Sequence, residues 1–135
     1  MICLDTNVVI AAINLRPMLV RSRLDAILAT GTEIGIPAIV LFEMRYGAAK
    51  SDRRARSEAA LDKFLTLPVT PWPFEPEDAR HAGEIRAALE SQGIPIGHYD
   101  YLISAQARRR GATLVTANRR EFARVPGLVV ADWME

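Results

Sequence analysis

Short apolar runs alternate with longer stretches of helical periodicity along the whole chain. Met1–Leu4 reads as a buried strand and Asn7–Ile13 as a short helix. Pro17 opens a second helix with apolar positions at Leu24, Ile27 and Leu28, and Gly31 ends it. Glu33–Ile36 reads as a strand that Pro37 stops. Pro37–Ala49 is helical, with proline in the first turn, where its missing N–H costs little. Ser51–Leu65 is a charged helix whose apolar stripe is Ala60, Leu61, Phe64 and Leu65. Pro68–Trp72 reads as a strand cut short by Pro71 and Pro73. Pro76 begins a helix with Glu77 and Asp78 in its first turn, where the helix dipole favours acids. Its core face is Ala82, Ile85 and Leu89, and Gly93 caps its end. His98–Arg110 is the next helix, stopped by Gly111. Ala112–Thr116 and Leu128–Val130 are the last strands.

Strands that alternate with helices imply parallel βαβ units and a helix-covered sheet, so the expected class is α/β. At 135 residues the expectation is one domain spanning residues 1–135. No repeat, linker or low-complexity segment interrupts it. In such sheets ligands bind beyond the carboxyl ends of the strands, and Asp5 and Thr116 fall at that edge.

Composition narrows the chemistry. Half of the residues are hydrophobic, enough for a core. The single cysteine, Cys3, excludes a disulfide scaffold and reads as a small buried hydrophobe. With two histidines it leaves too few soft ligands for a structural zinc site. No segment approaches the ~18 apolar residues of a membrane span, and the chain starts on a strand without a signal-like leader. The expected location is therefore cytoplasmic, with no membrane partner. A net charge of +1 does not announce nucleic acid. Its distribution is more telling. Lys occurs only at 50 and 63, whereas Arg clusters at 53, 54 and 56, at 108–110 and at 119–120. Arginine suits bidentate phosphate contacts, although charged runs also mark solvated helix faces.

The acids carry the functional signal. Asp5 ends the first strand and could simply cap the next helix, a role Asn7 could also fill. Glu43 sits in an otherwise apolar helical run, where a carboxylate must be paired, neutral or metal-bound. Asp100 lies in the first turn of its helix, with Ile103, Ser104 and Ala107 on its side. Asn118 and Glu121 follow the strand that ends at Thr116 and could serve a turn and a helix start. Acids gathered at one sheet edge repel each other unless a cation is bound. A hard oxygen-lined pocket suits Mg²⁺ or Mn²⁺, so the chain reads as a metal-dependent phosphodiester-cutting enzyme.

Several segments together resemble the PIN-domain ribonucleases, specifically the VapC-like toxins of bacterial toxin–antitoxin pairs. They are Leu4-Asp5-Thr6-Asn7, Glu43-Met44-Arg45-Tyr46-Gly47-Ala48, Gly97 to Ala105, Leu114 to Asn118, Glu121-Phe122, and Pro126 to Val130 before Trp133. The resemblance covers nearly the whole chain. It implies a three-layer α/β/α domain with a central, mainly parallel sheet of four to five short strands. It implies a homodimer and Mg²⁺- or Mn²⁺-dependent endonuclease activity on RNA. Asp5, Glu43, Asp100 and Asn118 match the family's four core positions, with Asp5 and Asp100 as metal ligands. By the same resemblance Glu43 either ligates the metal or acts as base on its water. Thr6, Thr116 and Glu121 take supporting roles. Arg45, Arg119 and Arg120 are candidates for RNA contact. A separate VapB-like antitoxin would hold the enzyme inactive, in a complex that can exceed a dimer, by offering a basic residue to the acids.

Three other readings compete. A receiver-like signalling domain needs adjacent acids near the first strand and a late lysine, and this chain has neither. A haloacid-dehalogenase-like phosphohydrolase needs Asp-x-Asp after the first strand, where Asn7 stands instead. A non-catalytic RNA-binding module is separated from a nuclease by metal dependence.

Overall fold

The computed structural model describes residues 1–135. Five strands form one sheet in the order β3-β2-β1-β4-β5, and every neighbouring pair is parallel. They are β1 (Ile2–Leu4), β2 (Ile34–Pro37), β3 (Thr70–Trp72), β4 (Thr113–Val115) and β5 (Val129–Ala131). The helices are α1 (Thr6–Asn14), α2 (Met18–Ala29), α3 (Ala38–Ala49), α4 (Arg54–Phe64), α5 (Pro76–Ser91), α6 (His98–Arg109) and α7 (Arg119–Phe122). Seven helices flank the sheet, giving a three-layer α/β/α architecture.

Parallel strands need crossover connections, and these are right-handed. The chain moves outward from β1 to β2 and β3 through α1–α4, then returns through α5 and α6 to β4, on the other side of β1. The direction reverses between β1 and β4. That is the topological switch point, where open α/β sheets leave a crevice beyond their strand ends. β1 ends immediately before Asp5 and β4 immediately before Thr116.

The central strands are buried on both faces, as a covered parallel sheet requires. Cys3, Leu4, Ile34, Ile36, Leu114 and Val115 are all solvent-inaccessible. They pack with Val8, Ala12, Leu24, Val40, Ile103 and Phe122 into the main core. Full burial of each larger side chain contributes roughly 1.5–3 kcal/mol. A second cluster joins α5 to α6 through Ala82, Ile85, Leu89, Tyr101 and Ala105. Gly35 on β2 is obligatory because a Cβ there would enter the indole of Trp72 on β3. Gly35→Ala should therefore disrupt that edge of the sheet.

Most expected elements are present, with shifted ends. α1 starts at Thr6 because Asp5, in extended backbone, is the N-cap. Pro17 and Pro37 are N-caps of α2 and α3 rather than first-turn residues. α4 begins at Arg54, not Ser51, because the Ser51 hydroxyl accepts the Arg53 N–H and the Ser57 hydroxyl, holding a turn before the helix. Gly93 and Gly111 end α5 and α6 at positive φ, which glycine adopts without strain. The one-turn helix α7 agrees with the helix start expected at Glu121, although the sequence set no bounds for it. It is too short for any periodicity to register.

The Arg108–Arg110 run is neither a solvated face nor a phosphate site. Arg109 and Arg110 point back at Asp78 of α5, at 2.6 and 3.0 Å. Arg108 bonds His81, Glu84 and the Pro126 carbonyl. Arg110 also stacks over Trp72. The run is a clasp between α5 and α6, and charge patterning alone could not reveal partners about thirty residues away.

Candidate active site

Asp5 is delivered to the sheet edge by β1 and is only 4% exposed. Its two oxygens do different jobs. Oδ1 accepts the Thr6 N–H at 2.8 Å, capping α1. Oδ2 accepts the Thr116 hydroxyl at 2.7 Å, across the switch point from β4. Burial pushes the Asp5 carboxyl above its ordinary value, while the bonds from Thr116, Thr6 and Asn7 pull against that rise.

Glu43 reaches the same place from the middle of α3. Its Oε1 accepts the Thr6 hydroxyl at 2.8 Å. Thr6 and Thr116 thus hold Glu43 and Asp5, each donating its one hydroxyl proton to a carboxylate. The adjacent Arg45 is turned away and pairs with Asp62 of α4 at 2.9 Å.

Asp100 arrives on the first turn of α6. Its carboxyl is pushed up to about 6, first by burial and then by the negative charges of Asp5, Glu121 and Glu43. Only the Gly97 backbone N–H works in the opposite direction. A Cβ at Gly97 would lie 2.8 Å from Asp100 Oδ2, so a larger residue there would move the Asp100 carboxylate. Four acids widely separated in sequence therefore share one electrostatic neighbourhood, and none of them forms a salt bridge.

Asn118, Arg119, Arg120 and Glu121 are all exposed on the β4–α7 connection and α7. The Asn118 backbone N–H donates to Thr116 Oγ1 at 3.0 Å. Asn7 also belongs to this edge. Its Oδ1 accepts the Ala117 N–H at 3.1 Å, and its Nδ2 lies 3.4 Å from Asp5 Oδ2. Sequence reasoning treated Asn7 as an alternative helix cap. Its position two residues after Asp5 was visible, but the loop it touches was not.

The donor set suits a hard divalent ion: carboxylate oxygens, threonine hydroxyls and an amide, without thiol or imidazole. No three His, Cys, Asp or Glu side chains stand close enough to form a ligand set by themselves. An ion held here would therefore need waters to complete its coordination, as Mg²⁺ usually does. The unpaired negative charge that raises Asp100 is what such an ion would neutralise.

A groove with a cavity of about 540 Å³ runs from Glu43 between α1, α3 and α4. Its floor includes Ile10, Ile13 and Met44, and Arg53 and Arg56 stand on its wall. Neither arginine side chain has a carboxylate partner. No helix is long and apolar enough to cross a membrane.

The chain is similar to known proteins in both sequence and fold. The PIN domain model matches residues 2–128. Ribonuclease VapC2 of Rickettsia felis is 39% identical over 130 residues, covering 96% of each chain. A tRNA(fMet)-specific endonuclease VapC of Shigella flexneri is 40% identical over the same coverage. In three dimensions the chain superposes on VapBC2 from Rickettsia felis bound to a DNA fragment from its promoter. The TM-score is 0.91 at 36% identity, covering 98% of this chain and 99% of that one. DNA-bound VapBC from Salmonella typhimurium gives a TM-score of 0.89, also at 36% identity, with the same coverage. The match in sequence and fold runs along nearly the whole chain, and the chain belongs to the PIN domain family, among its VapC ribonucleases.

Proposed function

We propose that this chain is a divalent-metal-dependent endoribonuclease toxin, one PIN domain acting in the cytoplasm and held inactive by a cognate VapB-like antitoxin. The observation that carries the reading is the set of Asp5, Glu43, Asp100 and Glu121 at the switch-point edge without a cationic partner. Mg²⁺ is the proposed ion and Mn²⁺ its substitute. Asp5 and Asp100 would hold it, with Glu43 either joining them or accepting a proton from the attacking water. Bound there, the ion would acidify water and offset charge on the phosphate. Asn118 would supply a neutral amide at the fourth position, exposed to the substrate. Thr6 and Thr116 keep Glu43 and Asp5 in register through their hydroxyls. Glu121 acts through its charge on Asp100. Arg119 and Arg120 are exposed and would contact the RNA backbone, as would Arg53 and Arg56 along the groove. Arg45 contributes less because Asp62 already engages it.

The relatives named for tRNA(fMet) cleavage make that tRNA the first substrate to try. The related VapBC structures support a partner antitoxin, and a homodimer within a larger toxin–antitoxin complex is the proposed assembly. An antitoxin segment lying in the groove would bring a cation to Glu43. The test is cleavage of a labelled tRNA by purified protein with Mg²⁺, with Mn²⁺ and with chelator. We expect cutting that chelation abolishes and that Asp5→Asn lowers by roughly 10²-fold or more. Cutting at the wild-type rate by Asp5→Asn, or undiminished cutting in chelator, would refute the assignment. RNA binding without cutting in any metal would favour the non-catalytic module.

A further inference from the structure

Beyond Thr116, the chain leaves β4 and carries Asn118 and Glu121 toward the other acids. The Thr116 N–H still bonds the Ala131 carbonyl, completing the strand pairing. After it, the Ala117 N–H has no backbone acceptor, and its partner is the Asn7 side chain, 110 residues earlier. The Asn118 N–H turns back onto Thr116 itself. Asn7 is therefore a second tether from this connection to the β1–α1 turn, beside the Thr116 hydroxyl that bonds Asp5.

We infer that Asn7 is a positioning residue that clips the β4–α7 connection to the first turn of α1, setting where Asn118 and Glu121 stand relative to Asp5. An asparagine offers an acceptor and a donor on one planar fork. Here the acceptor takes the Ala117 N–H at 3.1 Å, and the donor lies within 3.4 Å of Asp5 Oδ2. The first contact is the stronger, because 3.4 Å is long for an N–H···O bond. Aspartate at this position would keep the acceptor but lose the donor and add a like charge beside Asp5. Alanine would lose both. The kinetic consequence rests on the nuclease reading, but the clip itself does not.

The experiment measures hydrogen exchange of the Ala117 amide by NMR, alongside cleavage kinetics at saturating divalent metal. In Asn7→Ala, exchange at Ala117 should accelerate roughly tenfold, the value of one lost hydrogen bond. kcat should fall by about tenfold while KM for RNA stays within about twofold, since the loss concerns placement rather than binding. Asn7→Asp should leave Ala117 protected, and the kcat it loses reports the charge added beside Asp5 rather than loss of the clip. If Asn7→Ala does not fold, Asn7→Ser, too short to reach Ala117, is read in its place. Unchanged Ala117 exchange in the shortened variant, or loss of protection in Asn7→Asp, overturns the clip. A defect confined to KM, or a wild-type kcat in Asn7→Ala, overturns its role in the reaction. A wild-type chain that cuts no RNA would refute the nuclease reading and leave the exchange result to decide the clip.

Discussion

Asp78 and Asp100 occupy the same local position and meet opposite fates. Each is the third residue of its helix, α5 or α6, where a carboxylate can reach back toward the N-cap backbone N–H, as Asp78 does to Glu75. Asp78 is fully buried, and burial alone would raise its carboxyl. The hydrogen bonds from Arg109 and the Glu75 N–H, with the charges of Arg110 and Arg109, outweigh burial and hold it below the ordinary carboxylate value. Asp100 is half-buried but is surrounded by Asp5, Glu121 and Glu43, and its carboxyl is raised to about 6. One acid is neutralised by its own fold and serves as a clasp. The other is left with uncompensated charge, and that is the mark of a site waiting for an external cation.

The contrast breaks most visibly at Asp78. Asp78→Ala leaves two partly buried arginines without their shared acceptor, and losing one partner of a buried ion pair typically costs about 3–5 kcal/mol. Chemical denaturation should show that loss. RNA cleavage per folded molecule should stay near wild type, because Asp78 lies outside the acid cluster. A stable Asp78→Ala protein would show that the clasp contributes little.

At Asp100 the sign reverses. A carboxyl raised in the folded state contributes stability that is full below its unfolded value near 3.8 and is lost as pH rises through about 6. Chelated wild-type protein should therefore lose thermal stability relative to Asp100→Asn across that interval. Above pH 6 the variant should be the more stable by roughly 1 kcal/mol, after solvent screening at a half-exposed group. Asp78, being lowered, contributes stability present above about 3.8 and lost as pH falls further. Parallel pH profiles for wild type and Asp100→Asn would remove the charge conflict from the argument.

The smallest effects concern the arginines. Arg53→Ala or Arg56→Ala should each reduce the salt dependence of RNA affinity by about one counterion. Arg45→Ala should change it less, because Arg45 is engaged by Asp62. Equal slopes for all three would return Arg53 and Arg56 to ordinary solvated positions.

Much of the fold was legible because its signals are local. Gly93 and Gly111 end helices at positive φ, as their positions suggested. Strands such as Thr113–Val115 announced themselves as short apolar runs between turn residues. The parallel sheet followed from alternation alone. The four acids were conspicuous because each interrupts or borders an apolar segment. What could not be read was every feature whose partner lies far along the chain. Asp78 looked like a dipole-stabilised surface acid, Arg108–Arg110 like a charged face, and Asn7 like a spare cap.

Backbone conformation and burial pattern were thus set residue by residue, since helix caps, turn glycines and apolar periodicity act over a few positions. The charge state of each carboxylate was decided only when folding chose its neighbours. Coulomb interaction and desolvation depend on distance in space, and no spacing along the chain distinguishes an Asp that meets two arginines from one that meets three other acids.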